Sequence, residues 1–247
     1  MLAVRCDLWH TDVVREGVMK KLVIIPAYNE QGGIEKTVRD ILEHAPDFDY
    51  VIVNDCSTDR TLEICKKNGY CVLDLPVNLG IGGSVQTGYM YAFRCGYDVA
   101  VQFDGDGQHN ARYLNDMADK LENERLDMVI GSRYIKKEGF QSSGIRRIGI
   151  RYFTGMIRLV TGKKITDPTS GMRMAGRDVI EMYAKNYPKD YPEPESVVAA
   201  LKAGKKVGEI PVRMNAREEG VSSISPRKSV YYMIKVSLAI LIAAVRR

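Results

Sequence analysis

A chain of 247 residues, 45% apolar and 27% charged, has the composition of a soluble globular domain and is long enough to bury a sizeable core. Its net charge of +5 is too mild to mark a nucleic-acid binder, and no Arg/Lys run is interleaved with aromatics in that manner. The five cysteines are odd in number and lack C-x-x-C spacing, which argues against zinc; they read as reduced thiols of a cytosolic protein.

Residues 1–18 carry five charges and no apolar h-region, so they read as a loose extension rather than a signal peptide. The run 21–28 (KLVIIPAY) is short and continuously apolar, as expected of a strand buried on both faces. Residues 34–44 carry apolar side chains at 34, 38, 41 and 42, a helical spacing. A second buried strand is expected at 50–53. A helix capped by Ser57 or Thr58 then runs to Asn68. A third strand follows at 71–75, a glycine-led helix at 82–94, and a fourth strand at 98–103. Residues 113–121 read as helix and 127–130 as strand. Strand and helix alternate with short connections. The expectation is an α/β fold with a mostly parallel, twisted sheet and helices on both faces. Ligands of such sheets bind at the carboxyl ends of the strands.

The polar clusters fall at those ends. Asn29-Glu30 follows the first strand, Asn54-Asp55 the second and Asp104-Gly105-Asp106 the fourth. Two carboxylates one residue apart at a strand end can converge on one point, where they repel unless a cation lies between them. Hard divalent ions take oxygen ligands, and Asp104, Asp106 and the Gln108 amide can supply them. Such an ion ordinarily bridges carboxylates to substrate phosphates, which suggests a nucleoside-diphosphate site. Gly80 and Gly83 in the segment 78–83 would let main-chain N–H groups approach phosphate at a helix start. Read singly, each cluster is also an ordinary turn or helix cap. Together, in this order and each after a strand, they describe a site.

Beyond Arg133 the pattern changes. A polar, glycine-bearing loop spans 135–144, and a helix covers 145–160 with apolar residues at 145, 148, 152, 156 and 159. Arg147, Arg151 and Arg158 share another of its faces, suited either to solvent or to phosphate. Residues 167–171 form a turn, 179–183 a short helix, 187–194 an irregular stretch with three prolines, 196–202 a helix, 206–214 a strand and 215–226 a polar loop. The tail 230–245 is apolar apart from Lys235 and Ser237. Its sixteen residues would span about 24 Å as a helix, short of the roughly 30 Å hydrocarbon layer. It reads as an interfacial helix, with Arg246 and Arg247 suited to anionic lipid, or as a helix that docks on a membrane-protein partner or a second copy of the chain.

The segments IPAYNE (25–30), VNDCSTDRT (53–61), NLGIGGSVQTG (78–88), FDGDGQH (103–109), GSRY (131–134) and DPTSGMR (167–173) resemble those of family 2 glycosyltransferases. They are most similar to the dolichyl-phosphate and polyprenyl-phosphate sugar synthases. The resemblance implies a GT-A fold over residues 19–228, followed by the helix of 229–247. It implies an inverting transferase dependent on Mg²⁺ or Mn²⁺, peripheral on the cytoplasmic face of the cell membrane. The donor would be a nucleotide-diphosphate sugar and the acceptor polyprenyl phosphate or a lipid-linked glycan of the cell envelope.

By the same resemblance, Pro26, Tyr28, Glu30 and Asp55 hold the nucleoside, and Asp104, Asp106 and Gln108 hold the metal. Arg133, with one or two of Arg146, Arg147 and Arg151, meets donor or acceptor phosphate, and Arg217 matches a late arginine of the synthases. Two departures stand out. Ser222-Ser223 replaces a frequent Ser-Lys, which moves the late phosphate grip to Lys228 or removes it. Glu193 and Glu195 replace the Glu-Asp pair common where the acceptor is a hydroxyl. Either glutamate can serve as a base, or both can simply favour a helix N-terminus. A rival from another class is a sugar-nucleotide-binding scaffold subunit without activity.

Overall fold

Side chains along β1 (Lys21–Ala27) alternate between two apolar clusters, as the pleat of a strand requires. Val23 and Ile25 join one cluster with Ile34, Val38 and Ile41 of α1 (Ile34–His44). Leu22 and Ile24 face the other. All four strand side chains are fully buried, each contributing about 1.5–3 kcal/mol of transfer free energy. The computed structural model describes residues 19–136, 144–189, 192–215 and 226–245, except the side chains of 144–146, 226–232 and 243–245. The segment 1–18, most of the loops expected at 135–144 and 215–226, and the terminal pair 246–247 lie outside the described residues.

The chain continues through β2 (Asp49–Asn54), α2 (Thr61–Lys67), β3 (Val72–Asp74), α3 (Gly80–Arg94), β4 (Val99–Gln102), α4 (Tyr113–Asn123) and β5 (Met128–Ser132). It then forms α5 (Gly144–Thr161), β6 (Arg173–Gly176), α6 (Arg177–Lys185), α7 (Pro192–Lys202), β7 (Val207–Pro211) and α8 (Pro226–Val245). The seven strands make one sheet in the order β3-β2-β1-β4-β6-β5-β7. Every neighbouring pair is parallel except those of β6, which runs antiparallel to both β4 and β5. β6 therefore begins at the edge of the sheet where the other strands end.

Four local expectations are corrected. β6 stands where the sequence suggested no strand, because four residues opening on an arginine carry no apolar period. The cap of α2 is neither Ser57 nor Thr58: Asp59 Oδ1 accepts the Thr61 N–H at 2.9 Å, and Ser57 Oγ accepts the Asn29 N–H at 3.0 Å. α7 begins within the expected irregular stretch, at Pro192, because proline has no N–H to waste in a first turn. In α5 the buried stripe is Ile150, Phe153 and Ile157, whereas Ile148, Tyr152 and Leu159 are exposed. That helix is apolar on two sides, and only its packing against β5, α7 and α8 selects the inner one.

Val236 and Ile240 of α8 are fully buried in the same cluster, so this helix covers core. Twenty helical residues span about 30 Å, yet no helix among the described residues is long and apolar enough to cross a membrane. Cys56, Cys65 and Cys71 are free thiols as expected, but Cys95 is disulfide-bonded.

Candidate active site

At the edge where β1, β2 and β4 end, two loops are stitched together. Asn29 stands in the left-handed region (φ 59°), and its side-chain oxygen accepts the Thr58 N–H at 2.8 Å. Glu30 N–H donates to Thr61 Oγ1 at 2.9 Å, and Gln31 N–H donates to Asp59 Oδ2 at 3.1 Å. These bonds fix the loop that carries Tyr28, whose ring is half exposed above buried Pro26. Asp55 is 3% exposed, and its Oδ1 accepts the Leu79 N–H at 2.7 Å. It therefore ties the second loop to the start of α3. Gly80 opens that helix at φ +73°, a conformation side chains resist. Gly83 lies one turn further in.

The two carboxylates follow β4. Asp104 N–H donates to His109 Nδ1 at 3.0 Å, and His109 Nε2 lies 3.5 Å from Asp104 Oδ2. The ring is 4% exposed and packs edge-on against Phe103, so the loop curls around it. Gln102 Nε2–H donates to Asp104 Oδ1 at 3.4 Å. Asp106 Oδ1 accepts the Gln108 N–H at 3.0 Å, and Gln108 O accepts the Asn215 N–H at 2.9 Å. Gln108 is thus placed through its main chain. Gly171, just before β6, faces Asp104: a Cβ there would stand 2.6 Å from Oδ2. A side chain there would displace the carboxylate from this position.

Among the described residues no three Asp, Glu, His or Cys side chains converge as a closed metal cage. The donor set fits a hard cation that takes one or two carboxylates and leaves its other positions to water and substrate phosphate.

Arg133, after β5, is 8% exposed and held by a buried carboxylate. Its Nε–H and Nη2–H donate to the two oxygens of Asp167 at 2.7 and 2.8 Å, its main-chain N–H donates to Oδ2 at 3.1 Å, and Nη2–H also reaches Thr169 Oγ1 at 3.0 Å. Burial opposes the cation, and the pairing with Asp167 outweighs it, leaving the pKa above the ordinary arginine value; the charge of Asp104 adds to this. A second carboxylate stands behind the first. Glu209 of β7 accepts the N–H groups of Thr166 at 2.9 Å and of Asp167 at 3.1 Å. Burial raises the Glu209 pKa, against those bonds.

Arg147 and Arg151 are exposed on α5; the side chain of Arg146 and the whole of Arg217 lie outside the described residues. Glu193 and Glu195 are half-buried in the first turn of α7. Sequence reasoning assigned no role to His109, Asp167, Gly171 or Arg173. All four lie in segments that carry the family resemblance, which is the signal that could have found them.

The chain matches the model of the family described as "Glycosyl transferase family 2" over residues 22–183. It is 28% identical over 211 residues to the UDP-N-acetylglucosamine–dolichyl-phosphate N-acetylglucosaminyltransferase of Methanococcus voltae, covering 77% of this chain and 84% of that protein. It is also 28% identical over 231 residues to the polyprenol monophosphomannose synthase of Mycolicibacterium smegmatis, covering 88% and 86%. The solved glucosyl-3-phosphoglycerate synthase of Mycobacterium tuberculosis, in complex with Mn²⁺, UDP and phosphoglyceric acid, superposes with a TM-score of 0.67 at 18% identity, over 93% of this chain and 80% of that one. The fold is GT-A. With its matched segment running from β1 into α6 and the acidic pair at the end of β4, the chain belongs to glycosyltransferase family 2.

Proposed function

We propose that this enzyme transfers a sugar from a nucleotide-diphosphate donor to polyprenyl phosphate, with inversion, using a divalent ion held by Asp104 and Asp106. The observation that carries the reading is the strand-end carboxylate pair, in which Asp104 is braced by Gln102 and His109 and lies within electrostatic range of the clamped Arg133. The names of the relatives, which act on dolichyl or polyprenol phosphates, support the acceptor. The complex with Mn²⁺ and UDP of the structural neighbour supports the donor and the ion.

The loops around Tyr28, Glu30 and Asp55 receive the nucleoside. Asp104 and Asp106, with Gln108 beside them, hold Mg²⁺ or Mn²⁺, which when bound neutralises charge building on the departing diphosphate. Arg133 adds a fixed cation on the same edge, pre-oriented by Asp167 and therefore free of reorganisation cost. A phosphate acceptor is already an anion; it needs orientation and charge compensation but no base. Arg147 and Arg151 are the exposed groups for that task.

The lipid acceptor calls for a membrane surface. Ile148, Tyr152 and Leu159 form an exposed apolar stripe on α5 beside Arg147, Arg151 and Arg158. Ile234, Leu238 and Leu241 extend it on α8, joined by a Ser237 Oγ–H bond to Tyr152 Oη at 3.2 Å. An apolar stripe edged with arginines suits the anionic lipid of the cytoplasmic leaflet. Because α8 also buries core, truncation is a poor test of this face. The paired variant Leu159→Glu/Leu238→Glu should fold and lose binding to anionic vesicles; retained binding would overturn the membrane seat.

The function itself is tested by screening nucleotide sugars for Mn²⁺-dependent thermal stabilisation, then assaying the stabilising donor with polyprenyl phosphate. Transfer to the lipid phosphate is expected. Donor binding with transfer only to a glycan hydroxyl would reject the acceptor, and no metal-linked donor binding would reject the reading.

A further inference from the structure

Among the described residues Arg173 is the largest fully buried side chain, and none of its hydrogen-bond partners there is a carboxylate. Burying a guanidinium is expensive unless its donors are well used. One arm, Nη2–H, donates to Gln102 Oε1 at 3.1 Å and to Tyr187 Oη at 3.4 Å. The other, Nη1–H, donates to the main-chain oxygen of Glu193 at 3.0 Å and to Ser196 Oγ, in the opening turns of α7. Gln102 and Arg173 are direct cross-strand partners in the antiparallel pairing of β4 with β6.

This pairing decides which way the Gln102 amide points. An arginine only donates, so the amide oxygen must face it. The amide N–H₂ is then turned to Asp104 and donates to its Oδ1 at 3.4 Å. We propose that Arg173 is a positioning residue: it orients the Gln102 amide against Asp104 and, with the other arm of the same guanidinium, holds the first turn of α7. The metal-side carboxylate and the acidic turn bearing Glu193 and Glu195 are thereby set by one cation. A lysine offers a point charge and cannot span both sides, whereas the planar fork does.

The inference rests on the reading of Asp104 as a metal ligand, and calorimetry with Mn²⁺ and either UDP or GDP separates the two. If wild-type protein shows no Mn²⁺-linked binding of either nucleotide, the functional reading fails. Given binding by the wild type, Gln102→Leu should raise the Mn²⁺ concentration for half-saturation about ten-fold, the lower range for a residue behind a metal ligand. Arg173→Lys should do the same, and the double variant should add little, because both changes break one link. Arg173→Lys, but not Gln102→Leu, should also lower the midpoint of urea denaturation, since only it releases α7. Ile157→Ala, in the cluster beneath α5, controls for lost stability and should leave the Mn²⁺ requirement within about two-fold, well below that range. A folded Gln102→Leu protein with an unchanged Mn²⁺ requirement would overturn the proposal, as would an equal shift in Ile157→Ala.

Discussion

The two halves of the sheet hold their polar residues in opposite ways. On the β3-β2-β1-β4 half, Asn29, Asp55, Asp59 and Asp106 accept main-chain N–H groups of the loops around them. These bonds shape loops at the surface of the edge and leave it rich in anionic oxygen. On the β6-β5-β7 half the polar residues are cations buried beneath the edge. Arg133 is neutralised by Asp167, and Arg173 is spread over neutral oxygens. Burial pulls the Arg173 pKa down, and Tyr187 and Glu193 outweigh it, leaving the value above that of an ordinary arginine. One half thus presents anionic oxygen at the edge, and the other keeps its cations beneath it. Their substitutions should fail differently: by chemistry on the first side, by stability on the second.

The sharpest break should come from Asp106→Asn. Losing a metal ligand at the diphosphate costs about 4 kcal/mol of transition-state stabilisation, roughly a thousand-fold in rate. The midpoint of denaturation should barely move. Activity above about a tenth of wild type, a loss of less than 1.4 kcal/mol, would remove Asp106 from the metal site.

Asp167→Asn should show the opposite signature. It strands a buried guanidinium, and breaking such a pair costs about 3–5 kcal/mol. Urea denaturation should register that loss before any assay does. Arg147→Ala, on exposed α5, is the counterpart: it should leave stability within about 0.5 kcal/mol while raising the acceptor KM.

The glutamates sharpen the comparison from the acceptor side. With a phosphate acceptor, Glu193→Gln and Glu195→Gln should each retain activity within about ten-fold, less than a general base contributes. A thousand-fold loss in kcat with donor affinity unchanged would move the chemistry to a hydroxyl acceptor and make the opening turn of α7 a catalytic element.

The smallest effect concerns Glu209, which braces the turn behind Arg133. Its folded pKa is raised by burial above the usual 4.5. A raised folded pKa gives stability that is full below the unfolded value and is lost as pH climbs through the folded one. The urea midpoint should therefore carry a component that declines as pH rises above about 4.5, and Glu209→Gln should flatten it. An unchanged pH profile in that variant would show that Glu209 is not the group responsible.

Residues 21–28, 34–44 and 98–106 could be read directly because their determinants are local. An apolar run sets the strand, a 3.6-residue period sets the helix, and the carboxylates follow a strand end in the same stretch. β6 could not. Its identity depends on Gln102 standing opposite Arg173, seventy-one positions away. The inner face of α5 had the same difficulty, since two apolar stripes compete and only the neighbouring helices choose between them.

What the amino-acid sequence by itself determined was the alternation of strands and helices, the family, and the order of polar clusters along one sheet edge, since each is carried by neighbours in the chain. Only the tertiary structure decided how the cations are used. Whether an arginine meets solvent, as Arg147 does, or lies beneath the edge on a buried carboxylate, as Arg133 does, depends on whether a partner such as Asp167 arrives from elsewhere in the chain. The cost of burying an unpaired charge makes that arrival the deciding factor, and no local pattern encodes it.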